Sequence, residues 1–131
     1  MNKKLAITGV ILISVSIILG AFGAHPLKEI LTSKQMASYD VGIRYQMYHG
    51  LGLMLLGFNA NKITQSLNSV YSLLLLGTIF FSGSIYFLSL QDLLGVKLSF
   101  LGPVTPLGGI LMISGWVLLI LKMVKSKDEN E

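Results

Sequence analysis

The chain has 131 residues, of which 53% are hydrophobic and only 12% charged, with a mean hydropathy of +0.72. Soluble domains carry about 25% charged residues, so this composition excludes a disordered chain and argues against a water-soluble one. The net charge of +4 comes from 10 basic and 6 acidic residues at the ends of apolar runs, with no basic patch interleaved with aromatics, so no nucleic-acid partner is expected. There is no cysteine, which removes disulfides, thiolate metal sites and a cysteine nucleophile.

Four bilayer crossings of about 20 residues would use roughly 80 residues, leaving nothing long enough for a separate catalytic module. The chain therefore reads as one integral membrane domain, 1–131, with spans at 5–24, 43–60, 67–90 and 105–121 and a polar tail at 122–131.

The first span, Leu5 to Ala24, carries no charge and follows Lys3 and Lys4. A secretory signal has similar flanks, including the small residues Ala21 and Gly23, but its apolar core is usually about 7–15 residues, so a retained span is expected. Thr8, Ser16, Gly20 and Ala24 fall at multiples of four and predict a small-residue stripe that admits a neighbouring helix. His25-Pro26 ends this span. Leu27, Ile30 and Leu31 against Lys28 and Glu29 then predict a short amphipathic extracytoplasmic segment on the membrane surface.

Thr32 to Gln35 fits a capping box, with Leu31 and Met36 placed as a hydrophobic staple, so a helix should start at Ser33 and run to Phe58. Asp40 and Arg44 have the spacing of an ion pair on one helix face. Met36, Met47 and Met54 lie within about 20° on a helical wheel. Their sulfurs would sit about 16 and 10 Å apart along the axis, which suits packing and not copper binding.

The third span carries one polar trio, Ser82-Gly83-Ser84, able to approach or hydrogen-bond another helix. Residues 93–104 read as an interfacial or shallowly re-entrant loop. Thr105 is the expected N-cap of the fourth span and Pro106 its first helical position. Lys122, Lys125, Lys127 and the acidic end, Asp128 to Glu131, form the tail. The fold class is all-α: a four-helix transmembrane bundle. Placing both termini inside collects Lys3, Lys4, Lys62 and the tail lysines on the cytoplasmic side, against Lys28, Lys34, Arg44 and Lys97 outside.

Two constellations could carry chemistry. His25, Asp40, Arg44, Tyr45, Tyr48 and His49 gather near the outer boundary, where intramembrane ionisable groups are functional candidates for a proton relay or metal site. Two histidines without a thiolate are thin for zinc. Asp40 also lies about 180° from His49 on the helix. The plainer reading, an interfacial hydrogen-bonding cluster that fixes helix packing, is preferred. Second, Thr105, Gly108 and Gly109 at a helix start could receive a lipid phosphate or another anion, but simple capping after the proline-rich loop is the preferred reading. No catalytic residue, metal or cofactor is assigned, and no nucleotide, serine-elbow or metalloprotease motif occurs.

The segments Gly20-Ala-Phe-Gly-Ala-His25, Tyr45-Gln-Met-Tyr-His49-Gly50-Leu-Gly52, Ser82-Gly-Ser84, Gly102-Pro-Val-Thr-Pro106-Leu-Gly-Gly109 and Gly115-Trp116 together resemble the family called domain of unknown function 423. The resemblance covers nearly the whole chain. It implies a four-span protein of the bacterial cytoplasmic membrane and no established reaction, substrate or catalytic residue. The expected function is non-enzymatic: packing with membrane lipids, with itself as a homo-oligomer or with a membrane-protein partner, in envelope integrity or complex assembly. The alternatives are an oligomeric transporter or channel for a small solute or proton and, further off, a membrane enzyme using the histidine cluster.

Overall fold

A computed structural model describes the backbone of residues 1–130 and the side chains as far as Ser126. The end of the polar tail, Lys127 and Asp128 to Glu131, lies outside the described side chains. Five α-helices follow one another: α1 (Lys3–Ala24), α2 (Pro26–Ile30), α3 (Ser33–Phe58), α4 (Asn68–Leu94) and α5 (Val104–Asn130). Single 3-10 turns lie at Ala60–Lys62 and Ser99–Leu101, and no strand occurs among the described residues. Three helical stretches are long and apolar enough to cross a membrane: α1, α4 and Ser99–Ser126, which contains most of α5. The 26-residue α3 is long enough but too polar to count among them.

Local sequence explains where the helices begin and end. The Asn2 side chain accepts from the Leu5 amide and caps α1. Pro26 opens α2, where its missing N–H costs nothing. The capping box at α3 forms as the sequence predicts: the Gln35 amide donates to Thr32 Oγ1 at 3.2 Å and the Thr32 amide to Gln35 Oε1 at 2.9 Å. Gly95 terminates α4 at φ 69, the single positive φ among the described residues. Residues 93–104 then hold one 3-10 turn, and the Leu98 amide donates to Gln91 Oε1.

Two expectations are corrected here. Thr105 is not an N-cap, because α5 already begins at Val104. Its hydroxyl faces α4 and shares a 2.6 Å hydrogen bond with Ser84 Oγ. Asp40 and Arg44 both stand exposed and do not pair with each other. The α5 helix continues beyond the apolar run that ends at Leu121, through the tail lysines to Asn130.

Packing joins two antiparallel pairs, α1 with α3 and α4 with α5, through the α3–α4 contact. Each pair crosses where glycines remove the side chain. A Cβ on Gly50 would stand 3.0 Å from the Gly9 carbonyl, and one on Gly77 would stand 2.9 Å from the Gly108 carbonyl. The α1 face is not the predicted stripe: nothing lies within 4 Å of a Cβ on Gly20, and Ala24 is exposed. The buried small residues are Ala6, Gly9, Ser16 and Gly23, of which the last three are spaced by seven rather than four, the repeat of two helices that wrap round each other.

The interior is divided along its length. Leu5, Leu53, Leu67, Val70, Leu74 and Leu119 form an apolar core near the α1 N-terminus and the α3 C-terminus. Towards the opposite end the buried side chains include Tyr39, Gln46, Ser82 and Ser84.

Candidate functional site

The polar half of the interior is built by α3, whose uncharged polar residues point at neighbouring helices. Tyr39 is fully buried and its hydroxyl donates to the Leu19 carbonyl of α1 at 2.6 Å. Two turns further on, Gln46 joins three helices. Its Nε2 donates to the Leu12 carbonyl of α1 at 2.9 Å, and its Oε1 accepts from the Tyr86 hydroxyl of α4 at 2.6 Å. The Tyr39 and Tyr86 rings meet at 5.6 Å. Ser82 of α4 donates to the Gly42 carbonyl at 2.7 Å, a contact that requires glycine at 42 because a Cβ there would strike the Tyr86 ring.

His49 lies at the boundary between the two halves and is 6% exposed. The Trp116 indole N–H of α5 reaches its Nε2 at 3.0 Å, and its Nδ1 lies 2.7 Å from the Tyr45 carbonyl. An indole nitrogen can only donate, so Nε2 accepts and the ring proton sits on Nδ1, where it donates to Tyr45. Both ring nitrogens of a neutral imidazole are thereby occupied. A proton added at Nε2 would leave Trp116 with no acceptor there.

The other predicted site residues do not join it. His25 ends α1, is exposed and lines a surface pocket with Pro26, Lys28 and Glu29. Gly50 packs beside Ile13, so residue 25 stands about 18 Å further along α1 than the level of His49. Asp40 borders a separate pocket that also holds Lys28. Tyr45 lends His49 only its carbonyl, while its ring packs on Phe81 at 4.9 Å and on Tyr48 at 5.8 Å. Tyr48 is 57% exposed and faces outward. The six candidates thus resolve into one buried histidine and five surface residues.

Thr105, Gly108 and Gly109 likewise separate. Thr105 is engaged with Ser84, and Gly108 is buried where a Cβ would collide with the Phe81 backbone. Gly109 meets Phe81 only at 3.8 Å or beyond. Among the described residues no group of three or more His, Asp or Glu side chains could hold a metal ion. Gln46, Tyr86 and Trp116 were not singled out as functional by the pattern of the chain. A signal for Trp116 exists: a tryptophan in mid-helix, away from the membrane interface, needs a partner for its N–H.

Comparison with known proteins agrees with this membrane-like architecture. The family described as "Protein of unknown function (DUF423)" matches residues 19–109. The chain is 41% identical over 123 residues to a UPF0382 membrane protein of Staphylococcus haemolyticus, covering 94% of this chain and 97% of that protein. It is 37% identical over 125 residues to the UPF0382 membrane protein YwdK of Bacillus subtilis, at 94% and 98% coverage. A UPF0382 membrane protein of Haemophilus influenzae is 34% identical over 110 residues, at 84% and 85%. No solved structure matches the chain. The chain belongs to the DUF423 family, whose relatives here are named membrane proteins of the UPF0382 group.

Proposed function

We propose that this member of the DUF423 family is a four-span protein of the bacterial cytoplasmic membrane, with both termini in the cytoplasm and a non-enzymatic role. It packs with lipids and with itself or a membrane-protein partner, supporting the envelope or the assembly of a larger complex. The observation that carries this reading is the engagement of the mid-helix polar groups with one another. Gln46 bridges α1 and α4, and His49 and Trp116 are closed on each other. Polar side chains used in this way hold helices together in a medium with no competing water.

The same observation supports α3 as a crossing helix despite its polarity, since Gln46 and His49 are turned away from lipid. The orientation is supported by charge. Lys3, Lys4, Lys62, Lys122 and Lys125 share one end of the molecule, where the described side chains include no acid, whereas Glu29, Asp40 and Asp92 sit at the other.

Two measurements test the reading. In intact cells, a maleimide that cannot cross the membrane should label Glu29→Cys and not Asn61→Cys, in a background that has no native cysteine. Labelling of both, or the reverse pattern, overturns the topology. Native mass spectrometry of the protein released gently from its own membrane should retain lipid or a second protein. A closed oligomer carrying a defined metal or small solute would overturn the scaffold role in favour of transport.

A further inference from the structure

The structure assigns a lipid-binding function to the groove between α3 and α5: we infer that it holds one acyl chain of an anionic phospholipid, with the headgroup at Lys62. Both helices pack on α4 without an extensive backbone contact of their own, which leaves a cleft between them. The cleft has a volume of about 530 Å³ and is walled by Leu55, Leu56, Ile63, Trp116 and Met123. That volume lies in the range of about 300–1,000 Å³ typical of small-molecule sites. Gly52 shapes it, because the absence of a side chain there lets the Trp116 indole approach α3 closely, and a Cβ would stand 2.8 Å from the ring. His49 then holds that indole by its N–H. The wall is therefore fixed in place before any ligand arrives.

Charge identifies the occupant. The groove runs to Lys62, which lines its end. The Asn2 amide bonds the Gly57 carbonyl at 2.8 Å, which brings Lys3 and Lys4 to this same end. Ser126 bonds Thr64 at 3.0 Å, which brings the end of α5, with Lys122 and Lys125, there as well. An apolar slot ending among cations matches an amphiphile with a hydrocarbon tail and a negative head, and basic pockets between helices are a known form of lipid recognition. A second copy fits less well. Copies in one membrane share an orientation, and Glu29, Asp40 and Asp92, the acids with described side chains, lie at the opposite end, away from Lys62.

This inference rests on the membrane placement proposed above but not on which face is cytoplasmic, so the cysteine-labelling test and the following one can fail separately. Trp116 is the only tryptophan in the chain and reports on the groove directly. The full chain is reconstituted in phosphatidylcholine vesicles, and Trp116 fluorescence is titrated with phosphatidylglycerol or phosphatidylcholine carrying brominated acyl chains. Brominated phosphatidylglycerol should reach half-quenching at a mole fraction about fivefold lower than brominated phosphatidylcholine. Lys62→Gln should bring the two curves together, while Lys97→Gln, at the other end, should leave them apart. Leu55→Phe, which narrows the slot, should weaken quenching by both lipids. Coincident curves for the unmodified protein would overturn the anionic preference. Absence of quenching by either lipid would show the groove covered by protein, and an undiminished preference in Lys62→Gln would place the headgroup elsewhere; both outcomes overturn the proposal.

Discussion

The two halves of the interior solve the same packing problem with different chemistry. Around Leu5, Leu53, Val70 and Leu74 the buried side chains are apolar, and the Thr8–Tyr71 hydroxyl contact at 3.0 Å stands at their margin. Around Tyr39, Gln46, Ser82 and Tyr86 they meet through hydrogen bonds, several of them to backbone carbonyls. Both helix pairs that run through these halves depend on glycines that bring backbones close, at Gly9 and Gly50 in one pair and at Gly77 and Gly108 in the other. Close approach is thus common to both, and polarity is what differs. In lipid, apolar packing provides contact without directionality, whereas the hydrogen-bonded half fixes register, because a slipped helix would leave carbonyl and amide partners unmatched.

This contrast can be broken most severely on the apolar side. Leu74 is fully buried and its side chain packs against Gly115, so Leu74→Ala leaves a cavity and should cost about 2–5 kcal/mol. The loss is readable as a reduced denaturant midpoint of the detergent-solubilised protein. On the polar side, Gln46→Leu removes the partner of Tyr86 and one bond to Leu12 while keeping the volume. It should cost about 1–3 kcal/mol, since a buried donor is left unsatisfied. The two variants should also differ in kind. Leu74→Ala should lower the midpoint while α3 keeps its place on α4, whereas Gln46→Leu should loosen that contact, seen as faster amide exchange in α3. The smallest effect sharpens the role of glycine. Gly20→Ala meets nothing within 4 Å and should be neutral or stabilising by up to about 1 kcal/mol in thermal melts, unlike any substitution at Gly108.

Much of the fold was legible in the chain because helix ends are local events. The Thr32–Gln35 capping box, Pro26 at the start of α2 and the apolar run of α1 each act within a few residues. Pairing between helices was not legible in the same way. The sequence suggests small residues of α1 at a spacing of four, whereas the contact with α3 uses Ala6, Gly9 and Gly23, and only the partner helix decides between them. Thr105 reads as a cap until Ser84, 21 residues earlier, is placed beside it. At the site, the helix pattern places His49 among the polar residues of α3, on the face opposite Asp40. It could not supply Trp116, which lies 67 residues away in sequence. The cluster around His49 dissolves for a related reason: Asp40, Arg44 and Tyr48 are near it along the chain but are exposed, and His25 is exposed at the far end of α1.

The account turns on His49 and Trp116 acting as one adhesive pair that also sets the wall of the α3–α5 groove. A double-mutant cycle with His49→Leu, Trp116→Phe and the combined variant, read as unfolding free energies in the same detergent, measures that pair directly. The account predicts a coupling energy of about 0.6–1.7 kcal/mol, the range for hydrogen bonds between membrane helices. Additivity of the two substitutions would contradict it and leave His49 a buried histidine whose contact with Trp116 holds nothing in place.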